Sequence, residues 1–244
     1  MKTIGLLGGM SWESSAEYYR LLNEGTRARL GGHHCARCVL ASLDFAEVVA
    51  LQRAEDWDRA GTLLAETARG LERAGAEALV LCTNLMHRVA DDVAAAVDIP
   101  LLHIVDVVGD HARRAGLRRV GLLGARATME QPFYRARLAD RFDVEVIVPD
   151  EPDRTVVDRV VYDELTRSRI EPASRTRFQQ IITRLAGRGA DGVILGCTEI
   201  PLLIRPDDSD IPLIDSTRLH AERAVCIALA DDAPAGPSSR KAPR

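Results

Sequence analysis

Two similar segments that begin 114 residues apart constrain the fold of this chain more than any other feature. The first, "GAEALVLCTN" at 75–84, aligns without a gap with "GADGVILGCT" at 189–198. A second pair precedes them, because "IGLLGG" at 4–9 resembles "VGLLGA" at 120–125. Each segment contains an apolar run of strand length that ends in small or polar residues. The repeat therefore predicts two lobes of similar architecture.

Short apolar runs alternate with longer amphipathic stretches in both halves. This pattern is typical of parallel sheets that are covered by helices on both faces. The predicted fold class is therefore α/β, with two pseudosymmetric lobes that are each a mostly parallel sheet flanked by helices. Strands are predicted at 3–8, 38–43, 78–82, 119–124, 144–148, 192–196 and 211–214, and helices at 56–74 and 173–187.

The lobes divide the chain near its middle. We predict the first lobe at 1–104 and the second at 105–213, with residues 214–230 returning to the first lobe. The segment 231–244, "DDAPAGPSSRKAPR", is polar and rich in proline, so it is predicted to be a disordered tail.

The alignment of the two segments decides which residue of the first matches the cysteine of the second. Cys197 falls on Thr83, whereas Cys82 falls on Gly196. Successive residues of a strand point to opposite faces, so Cys82 is expected to point away from the face that Thr83 occupies. If Cys197 projects into a cleft between the lobes, Thr83 faces it from the other lobe.

Both polar segments follow strands, in the place where open parallel sheets bind ligands. Asn84 and Thr198 suit the cap of a following helix, whose free N–H groups can hold a carboxylate. A helix N-terminus also lowers the pKa of a nearby thiol, which favours the thiolate of Cys197. A structural alternative stays open at this point, with Cys197 as a small buried apolar residue and Thr83 as a cap.

Lysine usage argues against one class of enzyme. The two lysines, Lys2 and Lys241, both lie at the ends of the chain. A pyridoxal phosphate enzyme needs a lysine inside its site, so this cofactor is not expected, and no other cofactor is indicated.

"HHCARC" at 33–38 suggests a metal site, but no second pair of ligands stands at zinc-finger spacing. "GLLGGM" lacks the spacing of a dinucleotide-binding loop.

Charge and hydropathy narrow the expected partners and location. The formal charge of −4 gives no reason to expect nucleic acid or an anionic membrane as a partner. No apolar run reaches the ~18–20 residues of a membrane span, and the first residues lack the pattern of a signal peptide. The five cysteines form no disulfide framework. We therefore expect a cytoplasmic protein that binds a small molecule.

Five motifs resemble those of the aspartate/glutamate racemase family. They are "GLLGGMSWESSAEYY", "DFAEVVALQ", "CTNLMH", "TME" and "VILGCTEIPLL", and the resemblance covers residues 1–222. It implies two lobes with the active site in the cleft between them, a homodimer, and racemisation without pyridoxal phosphate or metal. Typical members place one cysteine from each lobe on opposite faces of the substrate α-carbon. One removes the proton as a thiolate, and the other returns a proton as a thiol.

The resemblance implies catalytic roles for Cys197 and Thr83. Cys197 matches the second-lobe cysteine, and alignment on Asn84 puts Thr83 at the position of the first-lobe cysteine, as the repeat also does. This arrangement resembles that of members specific for L-aspartate or L-glutamate. Leu85 stands where the family generally has a Thr or Ser that binds the substrate carboxylate. The other implied pocket residues are Met10, Ser11, Gln52, Asn84, Thr128 and Thr198, with Arg169, favoured over Arg167, for the distal carboxylate.

The predicted function is therefore cofactor-independent racemisation of aspartate or glutamate by Cys197 and Thr83. Two alternatives remain open. In the first, the chain is a decarboxylase or isomerase that acts on a dicarboxylate with a single cysteine; in the second, it is a non-catalytic binding protein for small acids.

Two further residues have open roles. His87 either orients the site, serves as an acid or is structural. Glu199 either binds a substrate ammonium, supports Cys197 or is structural.

Overall fold

The strands of both lobes coincide with the apolar runs of the sequence. A computed structural model describes residues 1–230, and the predicted tail at 231–244 lies outside the described residues. The strands are β1 (Ile4–Gly8), β2 (Cys38–Ser42), β3 (Ala78–Leu81), β4 (Leu101–Leu102), β5 (Arg119–Leu123), β6 (Glu145–Ile147), β7 (Gly192–Leu195) and β8 (Leu213–Asp215).

Helices connect these strands and cover both faces of each sheet. They are α1 (Trp12–Leu30), α2 (Phe45–Arg53), α3 (Trp57–Arg73), α4 (Ala90–Ala95), α5 (Ile104–Arg114), α6 (Arg126–Glu130), α7 (Pro132–Phe142), α8 (Glu151–Asp163), α9 (Pro172–Gly187), α10 (Ile200–Leu203) and α11 (Ser216–Leu229). Within residues 1–230 there are also three short 3₁₀ turns, at Leu85–Val89, Leu165–Arg167 and Pro206–Asp208.

The two sheets have the same topology. Their strand orders are β2-β1-β3-β4 and β6-β5-β7-β8, and every recorded pairing is parallel. The registers also correspond, because Gly5 pairs with Leu79 and Gly121 pairs with Val193. The structure thus confirms the α/β class and the two similar sheets. The sequence did not indicate β4, a strand of two residues that directly follows Pro100.

Each sheet is buried between two helical layers because its strand residues alternate between two apolar faces. In the first lobe, Leu6 and Val80 face α1 and α11, whereas Leu7 and Leu81 belong to the core beside α2 and α3. Cys82 is fully buried with the first of these groups. Full burial of one such aliphatic side chain contributes roughly 1.5–3 kcal/mol.

The C-terminal segment divides between the lobes. Contrary to the expectation for residues 214–230, β8 pairs with β7 in register Val193↔Leu213 and extends the second sheet. α11 then packs against α1 and α5, and its Ala224 and Val225 enter the first-lobe core. The change of lobe follows from the sequence, because Ile214 is apolar on the sheet whereas α11 carries a stripe of small residues.

Among residues 1–230, no helix has both the length and the apolar character that crossing a bilayer needs.

A cluster of three buried histidines lies where helices of both lobes meet. The ring centroid of His87 is 4.7 Å from that of His103 and 5.6 Å from that of His220. Nε2–H of His220 donates to the Leu102 carbonyl at 2.9 Å, so Nδ1 accepts the Tyr18 hydroxyl at 2.8 Å. Burial lowers the pKa of His103 to about 3 and that of His220 to about 4, and it also lowers the pKa of His87.

This cluster predicts loss of stability in mild acid. Each histidine is neutral in the folded protein but has a pKa of about 6.5 when unfolded. Its stabilising contribution is complete above about pH 6.5 and decreases below it, at about 1.4 kcal/mol per pH unit, until the folded pKa is reached. Urea unfolding monitored by circular dichroism should therefore show a loss of about 2 kcal/mol at pH ~5 for each of His103 and His220.

A matched pair of variants checks the assignment of this pH dependence. The free energy of unfolding plotted against pH has a slope between about pH 6.5 and 5, and His220→Gln should remove the contribution of one histidine from it. His33→Gln replaces an exposed histidine and should leave the slope of the wild type unchanged. Identical slopes for His220→Gln and the wild type would contradict the assignment.

Candidate active site

A narrow cavity lies between the carboxyl ends of the two sheets. Its volume is about 60 Å³, and both lobes contribute to its walls. The predicted residues Thr83 and Cys197 both line it. It is bounded by Met10, Ser14, Phe45, Gln52, Thr83, Asn84, Leu85, Ala125, Thr128, Val161, Tyr162, Thr166, Gly196, Cys197 and Thr198. Larger surface clefts of about 510 and 440 Å³ lie elsewhere and contain none of the predicted residues.

The loop after β1 brings α1 to the cavity. Gly9 adopts a φ of 83°, and a Cβ atom there would collide with the backbone of Leu43. Glycine is therefore required for the close approach of these two loops. The Ser11 side chain then caps α1 by accepting the N–H of Ser14 at 3.3 Å. This geometry directs the first turn of α1 toward the end of β7.

Thr83 is held at the end of β3 by its backbone. Nδ1–H of His87 donates to the Thr83 carbonyl at 2.7 Å, and Nε2 accepts the N–H of Ile104 at 3.1 Å. Both ring nitrogens of His87 are therefore used in fixing the backbone, and burial lowers its pKa well below the ordinary value. This arrangement supports the structural role for His87 rather than a role as an acid.

Asn84 presents an unpartnered oxygen beside the cavity. Its side chain is 4% exposed, and its Nδ2 donates to Ser216 Oγ at 3.1 Å. Ser216 in turn donates to the Leu195 carbonyl at 2.7 Å, so the amide orientation is set by both lobes. Oδ1 is buried and has no hydrogen-bond partner, which makes it available to a donor group of a ligand. Contrary to expectation, the Asn84 side chain does not cap a helix.

Cys197 and Glu199 are in direct contact at the end of β7. The Cys197 thiol donates to Oε2 of Glu199 at 2.8 Å, and the Thr198 hydroxyl donates to the same oxygen at 2.7 Å. Oε1 accepts the hydroxyls of Ser11 and Ser14, each at 3.2 Å. Glu199 is 5% exposed, so this carboxylate lies inside the protein.

The electrostatics of Cys197 reverse the expectation from its sequence position. Burial raises the pKa of the Cys197 thiol well above its ordinary value, and the charge of Glu199 raises it further. α10, the helix that follows, has only four residues, and its dipole is too small to offset these effects. The resting form of Cys197 at neutral pH is therefore the thiol.

Most of the predicted pocket residues meet in the cavity, but Ser11 and Arg169 do not line it. Ser11 reaches the site indirectly, through Glu199. The Arg169 side chain is 60% exposed and pairs with Glu171 at 3.1 Å. The reason is a tight turn, in which Ser168 takes a φ of 57° and the N–H of Arg169 bonds to the Glu164 carbonyl at 2.9 Å. Arg169 therefore lies outside the cavity lining in this structure, and its contact with a distal substrate carboxylate stays a prediction.

Several lining residues were not among the pocket residues predicted from the sequence. Ser14 and Phe45 belong to the first turns of α1 and α2, and Val161 and Tyr162 come from α8. Burial raises the pKa of Tyr162 to about 12, with smaller contributions from Asp158 and Cys197. The lining contributed by residues 1–230 includes no lysine or arginine. Ser14 donates to a buried carboxylate, a contact that only the folded chain reveals.

The "HHCARC" segment is not assembled as a metal site. Cys35 is exposed and Cys38 is partly buried. Nowhere in the described part of the chain do three or more His, Cys, Asp or Glu residues converge in a way that would hold a metal ion.

Two equivalent strand ends, one bearing a thiol and the other a hydroxyl, thus converge on a single cleft of a two-lobed α/β protein. The sequence agrees with this class, because residues 7–224 match the profile of the Asp/Glu/Hydantoin racemase family. The chain belongs to that family.

Solved structures of similar sequence share the whole fold. A candidate Asp/Glu racemase from Yersinia pestis is 47% identical with a TM-score of 0.89, and the match covers 94% of this chain and all of that one (100%). An aspartate racemase homologue from Pyrococcus horikoshii OT3 is 32% identical with a TM-score of 0.83, covering 93% and 99% of the two chains. The glutamate racemase of Francisella tularensis, solved with D-glutamate, shares the fold at 15% identity and a TM-score of 0.67, over 95% of this chain and 82% of that one.

Two curated relatives match over a smaller part of this chain. The glutamate racemase of Pseudomonas entomophila is 32% identical over 157 residues, which are 64% of this chain and 57% of that protein. The chain thus spans little more than half of that relative. The broad specificity amino-acid racemase of Bacillus subtilis is 25% identical over 178 residues, covering 72% of this chain and 75% of that protein.

Proposed function

We propose that this protein is a cofactor-independent racemase of aspartate or glutamate in which Cys197 and Thr83 act on the α-hydrogen from opposite lobes. One observation carries the proposal: the two residues end equivalent strands, in equivalent registers, and line the same cavity. The names of the relatives from Yersinia pestis and Pyrococcus horikoshii support acidic substrates. The homodimer and the cytoplasmic location rest on the sequence argument and belong to the same proposal.

The proposed reaction needs two proton transfers. Cys197, as a thiolate, takes the α-hydrogen of the L-enantiomer, and the electrons of the C–H bond remain on the substrate as a carbanion. The Thr83 hydroxyl then donates its proton to the opposite face of the carbanion and recovers a proton from water. Positioned acid–base groups of this kind typically contribute a rate factor of about 10²–10⁴ each.

Polar groups around the cavity are suited to hold an amino acid. The unpartnered Oδ1 of Asn84 is a suitable acceptor for the α-ammonium. Thr128 and Thr198 offer hydroxyls, and Gln52 now donates only to the weak acceptor Met86 Sδ, at 3.2 Å. With Leu85 in place of a hydroxyl residue, we infer that backbone N–H groups and these side chains hold the substrate carboxylates.

We infer that the cleft widens to admit the substrate. Its cavity of about 60 Å³ is far smaller than the ~300 Å³ at which ligand pockets begin. Exclusion of water by the bound substrate would then strengthen the electrostatic interactions that stabilise a carbanion beside the site.

Chiral chromatography after incubation with single enantiomers tests the proposed function. L-aspartate and L-glutamate are expected to give their D-forms, whereas L-leucine and L-lysine are expected to remain unchanged. Loss of carbon dioxide from a dicarboxylate, or its isomerisation without inversion of any amino acid, would favour the single-cysteine alternative. Binding of aspartate in calorimetry without any turnover would favour the binding protein. Either result would overturn racemisation.

A further inference from the structure

We propose that Glu199 is the proton acceptor that turns Cys197 from a thiol into the reactive thiolate, so that the two side chains work as a pair holding one proton. This inference rests on the proposed function for its catalytic meaning. Glu199 is a positioning residue in this account, because it acts through Cys197 and is not required to touch the substrate.

The geometry of the contact is the basis of the proposal. Oε2 of Glu199 lies 2.8 Å from Cys197 Sγ and directly accepts the thiol hydrogen. Glu199 also contacts the hydroxyls of Ser11 at the N-cap of α1, of Ser14 in its first turn and of Thr198 in the loop before α10. The Ser14 and Thr198 hydroxyls hydrogen-bond to each other as well. All four groups that contact the carboxylate are neutral. The carboxylate is thus buried among dipoles rather than beside a cation, an arrangement in which uptake of a proton relieves the cost of a buried charge.

The electrostatic cost of a second buried charge explains why the proton of Cys197 should move to Glu199 rather than to solvent. If Cys197 released its proton to solvent, a thiolate and a carboxylate would lie side by side at a buried position, and both burial and mutual repulsion oppose that state. If the proton passes to Oε2 instead, the pair keeps a single negative charge. The proposed transfer therefore resolves the conflict between a resting thiol and a reaction that needs a thiolate.

The proton balance closes over one turnover. The S–H bond of Cys197 breaks and an O–H bond forms on Glu199 Oε2. The thiolate then takes the α-hydrogen, which restores the thiol and leaves the electron pair on the substrate. Thr83 donates its hydroxyl proton to the carbanion. Water then returns a proton to Thr83 while Glu199 releases its own to water, so no proton is gained or lost.

One other titratable group, Tyr162 on α8, faces the pair. Burial raises its pKa to about 12, with Cys197 and Glu199 among the lesser causes, so it stays neutral in the tested pH range. Two charged groups act on Tyr162 itself: Asp158 on α8 adds to that rise, and Arg53 at the end of α2 opposes it. The remaining partners, Ser11, Ser14 and Thr198, do not titrate near neutrality.

Wild-type kinetics give the first test. A pair that holds one proton has a constant fraction in the thiolate form, whatever the pH, until it gains a second proton or loses the last. We expect kcat/KM to be flat between about pH 6.5 and 8.5. A tenfold rise per pH unit across this range would indicate a lone cysteine that ionises into solvent, and it would overturn the proposal.

Replacement of the carboxylate gives the second test. Glu199→Gln keeps the shape but removes both the charge and the proton acceptor. We expect its kcat/KM to fall at least tenfold at neutral pH and to rise with pH along a single ionisation. Glu199→Asp keeps the carboxylate, and its kcat/KM should depend on pH less strongly than that of Glu199→Gln. Glu72→Gln, a similar change on α3 in a partly buried carboxylate that accepts backbone N–H groups at 2.8 and 3.2 Å, should match the wild type. A uniform loss with an unchanged pH profile would mean a structural role and contradict the proposal.

Alkylation of Cys197 separates this inference from the proposed function. Iodoacetamide labelling, quantified by mass spectrometry of the Cys197 peptide, reports the thiolate in a protein with or without racemase activity. In Glu199→Gln the rise in labelling rate should move at least one pH unit lower than in the wild type, because the neighbouring charge is gone. If both proteins lack racemisation but show this shift, the coupling of Glu199 to the Cys197 thiol stands and the racemase proposal fails. Superimposable labelling profiles would overturn the pair.

Discussion

Cys197→Ala is expected to lower racemase turnover by at least about 10²–10⁴-fold, which is the contribution of a positioned general base. Cys197 contributes the only thiol to the described cavity lining, and its contact with Glu199 gives its proton a defined acceptor. Initial rates of inversion of L-aspartate and L-glutamate, followed by chiral chromatography, measure the effect.

Cys82→Ala is the matched control for this variant. Cys82 precedes Thr83 in the chain but is fully buried in the first-lobe core, with its Sγ 3.9 Å from the Val80 carbonyl. Its replacement should cost about 1 kcal/mol of folding stability and leave turnover within about threefold of the wild type. An inactive Cys82→Ala together with an active Cys197→Ala would mean that the register of the repeat is wrong by one residue.

Thr83→Cys is expected to raise the turnover of the D-enantiomer by at least about tenfold, because a thiol with an ordinary pKa of about 8.5 is a far better proton carrier than a hydroxyl. In the wild type, inversion of a D-substrate requires Thr83 to act as the base. The two directions remain linked by an equilibrium constant of one, so the asymmetry is expected in kcat and KM taken separately. Thr83→Ser keeps a hydroxyl in the same place and should show no such gain.

A gain in both Thr83→Cys and Thr83→Ser would show that side-chain size, rather than acidity, limits the reaction. Parallel measurement of kcat and KM for both enantiomers in the three proteins separates these outcomes.

The repeat predicted the fold and the positions of Thr83 and Cys197 because both depend on strand register. Once apolar runs set the strands, the second residue after each strand end is determined, and this placed Thr83 opposite Cys197 without knowledge of the helices. β4 was not predicted because the hydrophobic pattern of two residues is too short to distinguish a strand from a loop. The lobe assignment of β8 differed because three residues do not indicate which sheet they join.

The differences within the site come from contacts between distant elements. The pKa direction of Cys197 depends on the burial of its thiol and on a carboxylate that contacts four donor groups, two of them at the N-cap and in the first turn of α1. Arg169 lies outside the cavity lining because of a left-handed turn at Ser168, a conformation that serine rarely adopts. Val161 and Tyr162 reach the cavity only through the packing of α8 on the second sheet.

Deuterium incorporation at the α-carbon tests the account of Cys197 and Thr83 most directly. Each enantiomer of aspartate and glutamate is incubated separately in D₂O with the wild type and with Thr83→Cys, and exchange and inversion are followed by NMR and chiral chromatography. We expect the wild type to incorporate deuterium into the L-enantiomer much faster than into the D-enantiomer, and Thr83→Cys to bring the two rates together. Equal exchange rates for both enantiomers in the wild type, unchanged in Thr83→Cys, would contradict the mechanism.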